Sequence, residues 1–227
     1  MMKRALRVLV ACERSGVVRR AFEALGHDAW SCDLVPADDA DLGGGNRHIT
    51  GDVLDHLNDG WDLLAVMHPP CTVLCNSGAK HLYLGGRKEN GPNPARWAAL
   101  EEAAAFYRAL RDAEQIPCRV VENPIMHRHA IELTRRGATQ FVQPWWFGDP
   151  FFKATGLEMV NLPRLVATNR LTPPKAGTGE HKAWSMVHRA PPGPDRAKVR
   201  SQTFPGLAAA LADQFSRAAL SHIGGGE

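Results

Sequence analysis

Residues 62–71 read DLLAVMHPPC, and this stretch decides the fold. Its first six residues form a short apolar run that an acid bounds, which is typical of a strand buried inside a parallel sheet. The run leads straight into His68-Pro69-Pro70-Cys71, where the strand must end. The stretch therefore predicts a buried strand that delivers polar residues to its carboxyl end.

Similar apolar runs lie on both sides of this strand, and segments with helical periodicity separate them. The runs predict five further strands, at residues 7–11, 29–33, 48–53, 118–121 and 139–142. Apolar residues at helical spacing predict helices at residues 17–25, 95–113, 126–136 and 207–220. Strands that alternate with helices indicate an α/β fold with a doubly wound, mostly parallel sheet.

Composition divides the chain into a core and two shorter parts. Residues 1–160 contain all the predicted strands and form the expected core. Residues 161–202 contain six prolines, so little regular structure is expected there. Residues 203–222 are expected to pack back on the core as a helix. Within the core, the polar segment 76–94 is longer than most connections between secondary-structure elements. Its length favours a functional loop that closes over a site.

The charge of the chain is unevenly distributed, although its net value is only +3. Residues 161–202 contain eight Lys or Arg against two acids, a local balance of +6, which leaves −3 for the remainder. Such a basic segment is either a solvated loop surface or an electrostatic footprint for a polyanion such as nucleic acid.

The cysteines and the hydropathy indicate a cytoplasmic protein with no membrane partner. Five cysteines are scattered through the chain, an odd number that fits free thiols in a reducing compartment. No apolar run approaches the roughly 18 residues that span a bilayer. The N-terminal apolar run is broken at once by Glu13 and Arg14, so it predicts a strand and not a secretion signal.

Polar or unusual residues stand where five successive predicted strands end. They are Ser15 and Gly16 after the first strand, then Asp33, Asp52, Pro-Pro-Cys71 and Glu122-Asn123-Pro124. In parallel α/β sheets, ligands bind outside the carboxyl ends of the strands. One such residue alone is commonly a turn or capping residue, but five at successive ends predict a single binding site.

The acids at the second and third strand ends suit a nucleoside cofactor. One carboxylate can accept protons from ribose hydroxyls, and another can accept from an exocyclic amine. The first turn, ERSGVVR, has a single glycine and lacks G-x-G-x-x-G, which argues against a dinucleotide pyrophosphate. An S-adenosyl cofactor carries no phosphate and would be compatible with this turn.

The order of these motifs resembles that of the DNA cytosine-5 methyltransferases, in particular the short versions found in phages. It runs S-G, A-F, G-H, a strand-end acid, G-D, P-P-C and E-N-P. The resemblance covers residues 8–153 and resumes at residues 203–214. Its most specific part is the pair of Pro-Pro-Cys71 and Glu122-Asn123, about 50 residues apart. It implies a Rossmann-like methyltransferase fold, S-adenosylmethionine as cofactor and DNA as partner.

The resemblance also implies a catalytic site, made of Cys71, Glu122, Asn123, Gln143 and Lys153. Cys71 would attack C6 of a cytosine ring, and Glu122 would hold the ring at N3. C5 then becomes nucleophilic enough to take the methyl group, and loss of the C5 proton releases Cys71. Gln143 and Lys153 stand in place of the family's basic strand that contacts the flipped base.

The cofactor site implied by the resemblance takes eight residues from the strand ends. They are Glu13, Ser15, Gly16, Asp33, Leu34, Asp52, Val53 and Pro69. The family's first motif is richer in glycine, and Arg14 and Val17 occupy two of its small positions here. A large target-recognition domain is missing, so only residues 161–202 are available to recognise DNA.

Other functions compete with methylation of duplex DNA. The same C5 chemistry could act on single-stranded DNA or on a nucleotide, which the missing recognition domain favours. A non-catalytic DNA-binding or nucleotide-binding relic is a third class, although a relic has no need of Cys71 and Glu122.

No metal is expected, although a zinc site can be drawn from four residues. They are His68, Cys71, Cys75 and His81, and no second ligand pair with matching spacing supports them. The zinc deaminase signature requires H-x-E before P-C-x-x-C. This chain has P-C-x-x-x-C and no preceding H-x-E.

Overall fold

A seven-stranded sheet forms the centre of the computed structural model, which describes residues 4–42, 44–123, 125–193 and 196–225. The strands in chain order are β1 Arg7–Ala11, β2 Asp28–Asp33, β3 His48–Thr50, β4 Leu63–Val66, β5 Cys118–Asn123, β6 Gln140–Val142 and β7 Thr155–Val160. Across the sheet their order is β3-β2-β1-β4-β5-β7-β6. Pro124 and Pro194, which belong to motifs discussed above, lie outside the described residues.

The five strands from β3 to β5 run parallel, whereas β7 runs antiparallel to both of its neighbours. The order β3-β2-β1-β4-β5 is that of a doubly wound Rossmann sheet. An antiparallel β7 between β5 and β6 gives the Rossmann-like methyltransferase arrangement. The predicted α/β fold with a mostly parallel sheet is therefore confirmed.

Alternating residues of the strands send apolar side chains to two separate cores. Val8 and Val10 of β1 face the first core, where Phe22 and Phe215 are fully buried. Leu9 of β1 faces the second core on the other side of the sheet. Both faces of the sheet are covered, which explains why the parallel strands carry continuous apolar runs in the sequence.

Helices cover both faces of the sheet. Their bounds are α1 Val17–Glu23, α2 Pro94–Arg111, α3 Arg128–Thr134, α4 Gly179–Trp184, α5 Met186–Arg189, α6 Arg196–Ser201 and α7 Pro205–Gly224. The first core holds buried residues of α1 and α7, and the second holds those of α2 and α3. No helix in the described ranges is long and apolar enough to cross a membrane.

The structure differs from the sequence-based expectations in three segments. The sequence pattern did not predict β7, and α4 to α6 give residues 161–202 more helix than their prolines suggested. Residues 76–94 form 3-10 turns, and the N–H of Asn93 donates to the carbonyl of Leu82 at 2.8 Å. This loop is therefore folded back on itself in the observed state.

Replacement of Phe215 by alanine tests the packing of α7 on the first core. Phe215 is fully buried, so Phe215→Ala is expected to lower the free energy of unfolding by about 3–5 kcal/mol. Urea denaturation followed by circular dichroism measures the change. Leu25→Ala, at a side chain that is 48% exposed, is the control and should cost less than about 0.5 kcal/mol. Equal effects of the two substitutions would contradict the described packing of α7.

Candidate active site

The carboxyl ends of β4 and β5 lie side by side. The two strands are parallel neighbours, with Val66 opposite Val121. After β4 the chain passes through the buried Pro69 to reach Cys71, whereas Glu122 follows Val121 directly. The sheet therefore brings Cys71 and Glu122 to the same edge, although about 50 residues separate them in the sequence.

Backbone hydrogen bonds hold the loop that carries Cys71. The N–H of Leu74 donates to the carbonyl of Cys71 at 3.1 Å, which closes a turn. The N–H of Asn76 donates to the carbonyl of Ile125 at 2.9 Å, and the N–H of His127 donates to the carbonyl of Leu74 at 3.0 Å. The loop is thus fastened to the segment that follows β5, which fixes it relative to Glu122.

A small cavity of about 10 Å³, room for about one water molecule and partly open to solvent, lies beside Glu122. Its walls are Met67, His68, Glu122, Lys153, Thr155, Gln202, Thr203, Phe204 and Leu207. The Nζ of Lys153 donates to the carbonyl of Gln202 at 2.8 Å. The backbone N–H of Lys153 donates to Oε1 of Gln143 at 3.1 Å. The structure therefore brings Lys153 to Glu122, and Gln143 supports the backbone of Lys153.

Burial and mutual charge set the protonation of this cluster. Burial raises the pKa of Glu122 to about 7, against the opposing effect of Lys153. Burial also lowers the pKa of Lys153, while the charges of Glu122 and Cys71 raise it. For Cys71, burial and then the charge of Glu122 raise the pKa to about 11. A proton on Glu122 therefore favours the thiolate of Cys71, because it removes the neighbouring negative charge.

His68, considered from the sequence only as a possible zinc ligand, lines the cavity together with Thr203. The Oγ1 of Thr203 lies 3.0 Å from Nε2 of His68, across 135 positions of the chain. Burial, and then the charge of Lys153, lower the pKa of His68 to about 3, so its ring is neutral at physiological pH. No local sequence signal could have revealed a contact of such long range.

Glu13 and Ser15 form the turn between β1 and α1. Glu13 is fully buried, and its Oε1 accepts hydrogen bonds from the hydroxyl of Ser15 at 2.9 Å and from the N–H of Val18 at 2.8 Å. Burial raises the pKa of Glu13, and these hydrogen bonds act in the opposite direction. Both side chains thus accept hydrogen bonds from the free backbone N–H groups at the amino end of α1.

Gly16 caps α1 where a larger residue would not fit. Its φ of 67° lies in the left-handed region. An added Cβ would stand 2.6 Å from the guanidinium of Arg19 and 2.7 Å from that of Arg20. Both arginines form ion pairs with Asp39, in the segment that follows β2. The turn after β1 and the segment after β2 are thereby joined by charge.

Asp33 and Asp52 lie close together at the ends of β2 and β3. Burial raises the pKa of Cys12 to about 12, and the charges of both Asp33 and Asp52 contribute. The Oδ1 of Asp33 accepts from the N–H of Val35 at 3.2 Å, and the Oδ1 of Asp52 accepts from the N–H of Leu54 at 3.0 Å. Within the described ranges, neither Oδ2 has a hydrogen-bond partner.

The residues that adjoin the two acids differ in exposure. Leu34, after Asp33, is 75% exposed, whereas Val53, after Asp52, is buried. Two carboxylate oxygens and an exposed apolar side chain at neighbouring strand ends can bind the hydroxyls and the flat ring of a nucleoside. These hydrogen-bond acceptors and this apolar side chain fit the nucleoside half of S-adenosylmethionine.

Asn123 is a predicted site residue whose side chain the structure turns away from the cavity of Glu122. Glu122 lines the cavity on the first face of the sheet. Asn123 is the next residue of the strand, so its side chain points to the opposite face, where Val121 is buried in the second core. Asn123 is itself almost fully buried, at 3% exposure.

Exposed cations lie on the surface of residues 161–202. They include Arg164, Arg170, Lys175, Lys182, Arg189 and Arg200. None of these six has a salt bridge to an acid in the part of the chain that the structure describes. The guanidinium of Arg170 lies 5.4 Å from the ring centre of Trp145 and 4.6 Å from that of Trp146. Arg200 lowers the pKa of Lys153, so the basic surface extends to the cavity.

The described residues contain no group of three or more His, Cys, Asp or Glu side chains that could hold a metal ion.

Comparison with solved structures finds proteins of low sequence similarity, one of which is described below. No protein-family model and no curated protein matches the chain. The solved structure is that of a candidate DNA modification methyltransferase encoded within an E. coli prophage, with 14% identity and a TM-score of 0.43. The alignment covers 68% of this chain and 46% of that chain, so this chain spans about half its length. The case for a function rests on the residues of the site.

Replacement of Glu122 by glutamine tests the raised pKa of this buried carboxyl. The pKa of about 7 in the folded state exceeds the ordinary value of 4.5, so the folded protein loses stability as pH rises from 4.5 to 7. Glu122→Gln removes this loss. Its free energy of unfolding relative to the natural protein should therefore increase between pH 5 and pH 8, by up to about 3 kcal/mol.

Chemical denaturation at both pH values measures this difference. Glu101→Gln, at an exposed position of α2, is the control and should show no such increase. An unchanged difference between pH 5 and pH 8 for Glu122→Gln would mean that Glu122 titrates as an ordinary carboxyl.

The alkylation rate of Cys71 tests the charge coupling between Cys71 and Glu122. Since its thiol has a pKa of about 11, the reaction with iodoacetamide should keep rising by about tenfold per pH unit from pH 7 to pH 10. Glu122→Gln should accelerate the reaction at pH 8, because it removes the negative charge. Peptide mass spectrometry identifies the modified residue, with Cys71→Ser as the blank. A plateau near pH 8.5 would show an unperturbed thiol.

Proposed function

We propose that the chain is an S-adenosylmethionine-dependent methyltransferase that adds a methyl group to C5 of cytosine in DNA, through a covalent bond from Cys71. One observation carries the proposal. Glu122, with a pKa of about 7, and Lys153 share a cavity at the carboxyl edge of the sheet, and the charges of both act on Cys71 in the loop that follows β4. This chemistry requires a nucleophile and a proton donor beside the same ring.

The protonation of the cluster suits these two roles. With a pKa of about 7, Glu122 carries a proton in much of the population at neutral pH. It can therefore donate that proton to N3 of a cytosine ring. The charge of Lys153 lowers the pKa of Cys71 and so favours the thiolate. Lys153 is a positioning and electrostatic residue, and Gln143 holds its backbone.

The reaction then follows from these groups. The thiolate of Cys71 adds to C6 of the ring while Glu122 gives its proton to N3, which makes C5 nucleophilic. S-adenosylmethionine, when bound, supplies the methyl group that C5 takes. The C5 proton next leaves to a water molecule, the bond between C6 and sulfur breaks, and N3 returns its proton to Glu122. Cys71 and Glu122 are thereby restored.

Asp33 and Asp52 are the residues we assign to the nucleoside of the cofactor. Their free carboxylate oxygens would accept from the ribose hydroxyls and the exocyclic amine, and Leu34 and Val53 would contact the adenine ring. Glu13, Ser15 and Gly16 shape the turn after β1, and Pro69 leads the chain to Cys71. The turn after β1 would thus adjoin the cysteine loop, because β1 neighbours β4. Asp33 and Asp52 would lie farther along the sheet edge, at the ends of β2 and β3.

DNA is the substrate that the exposed cations favour. Six exposed Lys or Arg residues without partners among the described acids give residues 161–202 a positive surface, which suits a phosphate backbone. The cavity beside Glu122 holds little free space, so a cytosine would have to leave the base stack and move the cavity walls apart to reach Glu122. The stack of Arg170 on Trp145 and Trp146 offers a flat surface for a neighbouring base.

Transfer of a labelled methyl group tests the proposal directly. The protein is incubated with methyl-labelled S-adenosylmethionine and unmethylated duplex DNA, single-stranded DNA or dCMP, and the products are digested to nucleosides. Label in 5-methylcytosine is expected with DNA. Cys71→Ser should abolish it, and Glu122→Gln should lower the rate by about 10²–10⁴. Cys75→Ser is the matched control and should retain activity.

The distribution of the label separates the competing functions. Label on dCMP alone would contradict DNA as the substrate and leave the roles of Cys71 and Glu122 in force. Label on an amino group, or label that Cys71→Ser retains, would overturn the covalent mechanism. Binding of the cofactor without transfer to any cytosine would leave a cofactor-binding protein of another function.

A further inference from the structure

A second pocket lies on the face of the sheet opposite to the cavity of Glu122. Its free volume is about 90 Å³, larger than that of the cavity beside Glu122, and it is partly open to solvent. Its walls are Tyr107, Asn123, Ile125, Met126, Ile131, Gly137, Ala138, Phe141 and Gly156. Most of these residues are apolar. Asn123 was predicted as a site residue from the sequence, but the proposed methylation steps use none of the residues that line this pocket.

The side-chain amide of Asn123 is the unusual feature of this pocket. Neither its Nδ2 nor its Oδ1 has a hydrogen-bond partner, although Asn123 is only 3% exposed. The alternation of the strand turns this side chain away from Glu122 and toward the second pocket. Buried polar groups are nearly always paired, so a donor and an acceptor left together at the wall of a pocket indicate an external partner.

Three apolar side chains at the pocket are unusually exposed. Ile125, Ile131 and Phe141 are 45%, 43% and 48% exposed. They lie on three different segments that meet at this pocket, after β5, in α3 and in β6. Apolar side chains gathered around a polar group are typical of a site that binds a largely apolar ligand.

Gly156 lets the strands pack closely at the wall of the pocket, between Asn123 and Phe141. It pairs with Asn123 on one side and with Phe141 on the other. An added Cβ would lie 2.8 Å from the carbonyl oxygen of Asn123, 2.9 Å from Cβ of Ala138 and 3.0 Å from the ring of Phe141. A side chain at this position would therefore collide with its neighbours, so the close packing of Asn123 and Phe141 at the pocket wall requires a glycine.

We propose that this pocket is a second small-molecule site, which binds a flat ring that carries a hydrogen-bond donor and an acceptor side by side. The amide of Asn123 would pair with both groups, and the ring would lie against Phe141 and Ile131. A primary carboxamide and the edge of a nucleobase share this chemistry. The pocket lies on the face of the sheet opposite to the cavity of Glu122, so the ligand would not compete with a ring that is bound at Glu122.

Benzamide, adenine and toluene are the probes that test this site, because toluene matches benzamide in shape but lacks the amide. Binding is followed by nuclear magnetic resonance titration of the full chain. The side-chain amide signal of Asn123 is assigned as the one that disappears from the spectrum of Asn123→Leu. Benzamide should bind about tenfold more tightly than toluene and shift that signal. Tighter binding of adenine than of benzamide would assign a nucleobase, and the reverse would assign a carboxamide.

Asn123→Leu should abolish the preference for benzamide while toluene still binds. It is expected to keep the fold, because a leucine of similar size removes an unpaired buried amide. Ala138→Leu, which narrows the pocket without changing Asn123, should weaken all three probes and decides the matter if Asn123→Leu does not fold. Val166→Ala, at an exposed side chain outside the pocket, is the control.

Equal binding of benzamide and toluene, an undisturbed Asn123 signal or unchanged binding to Ala138→Leu would overturn the proposal. None of these readouts requires methyl transfer, so the result does not depend on the function proposed for Cys71.

Discussion

The burial of Glu122 beside Lys153 is the constraint on which the rest of the site depends. A carboxyl at the end of β5 is enclosed by the sheet, by α7 and by the loop that follows β4, so its charged form is poorly solvated. Lys153 supplies the nearby positive charge, and its own charge is costly in the same surroundings. The protonation state of each of Glu122, Lys153 and Cys71 therefore depends on the charges of the other two.

Much of the sheet could be predicted from the sequence because its parallel strands are buried on both faces. Runs such as RVLVA and DLLAVM are continuous and short, so their type and limits are evident. β7 escaped this reasoning because Glu158 interrupts its apolar pattern. That carboxyl is stabilised in the interior by the hydroxyl of Tyr107, at 2.9 Å, and only tertiary structure reveals this partner.

The candidate site was predictable to the extent that its residues follow strands. Cys71 and Glu122 meet because β4 and β5 are neighbours, a property of the predicted fold. The opposite orientations of Glu122 and Asn123 also follow from strand geometry, but only after the exact end of β5 is known. The contact of His68 with Thr203 could not be foreseen, since nothing local in either segment indicates it.

The position of α7 has a consequence for how the protein matures. The cavity takes Gln202, Thr203, Phe204 and Leu207 from the segment at the start of this helix, and every strand precedes them in the chain. On the ribosome, where synthesis proceeds from the amino terminus, the sheet can begin to assemble while these wall residues are still being made. A nascent chain would therefore hold the cysteine loop before it holds an enclosed cavity.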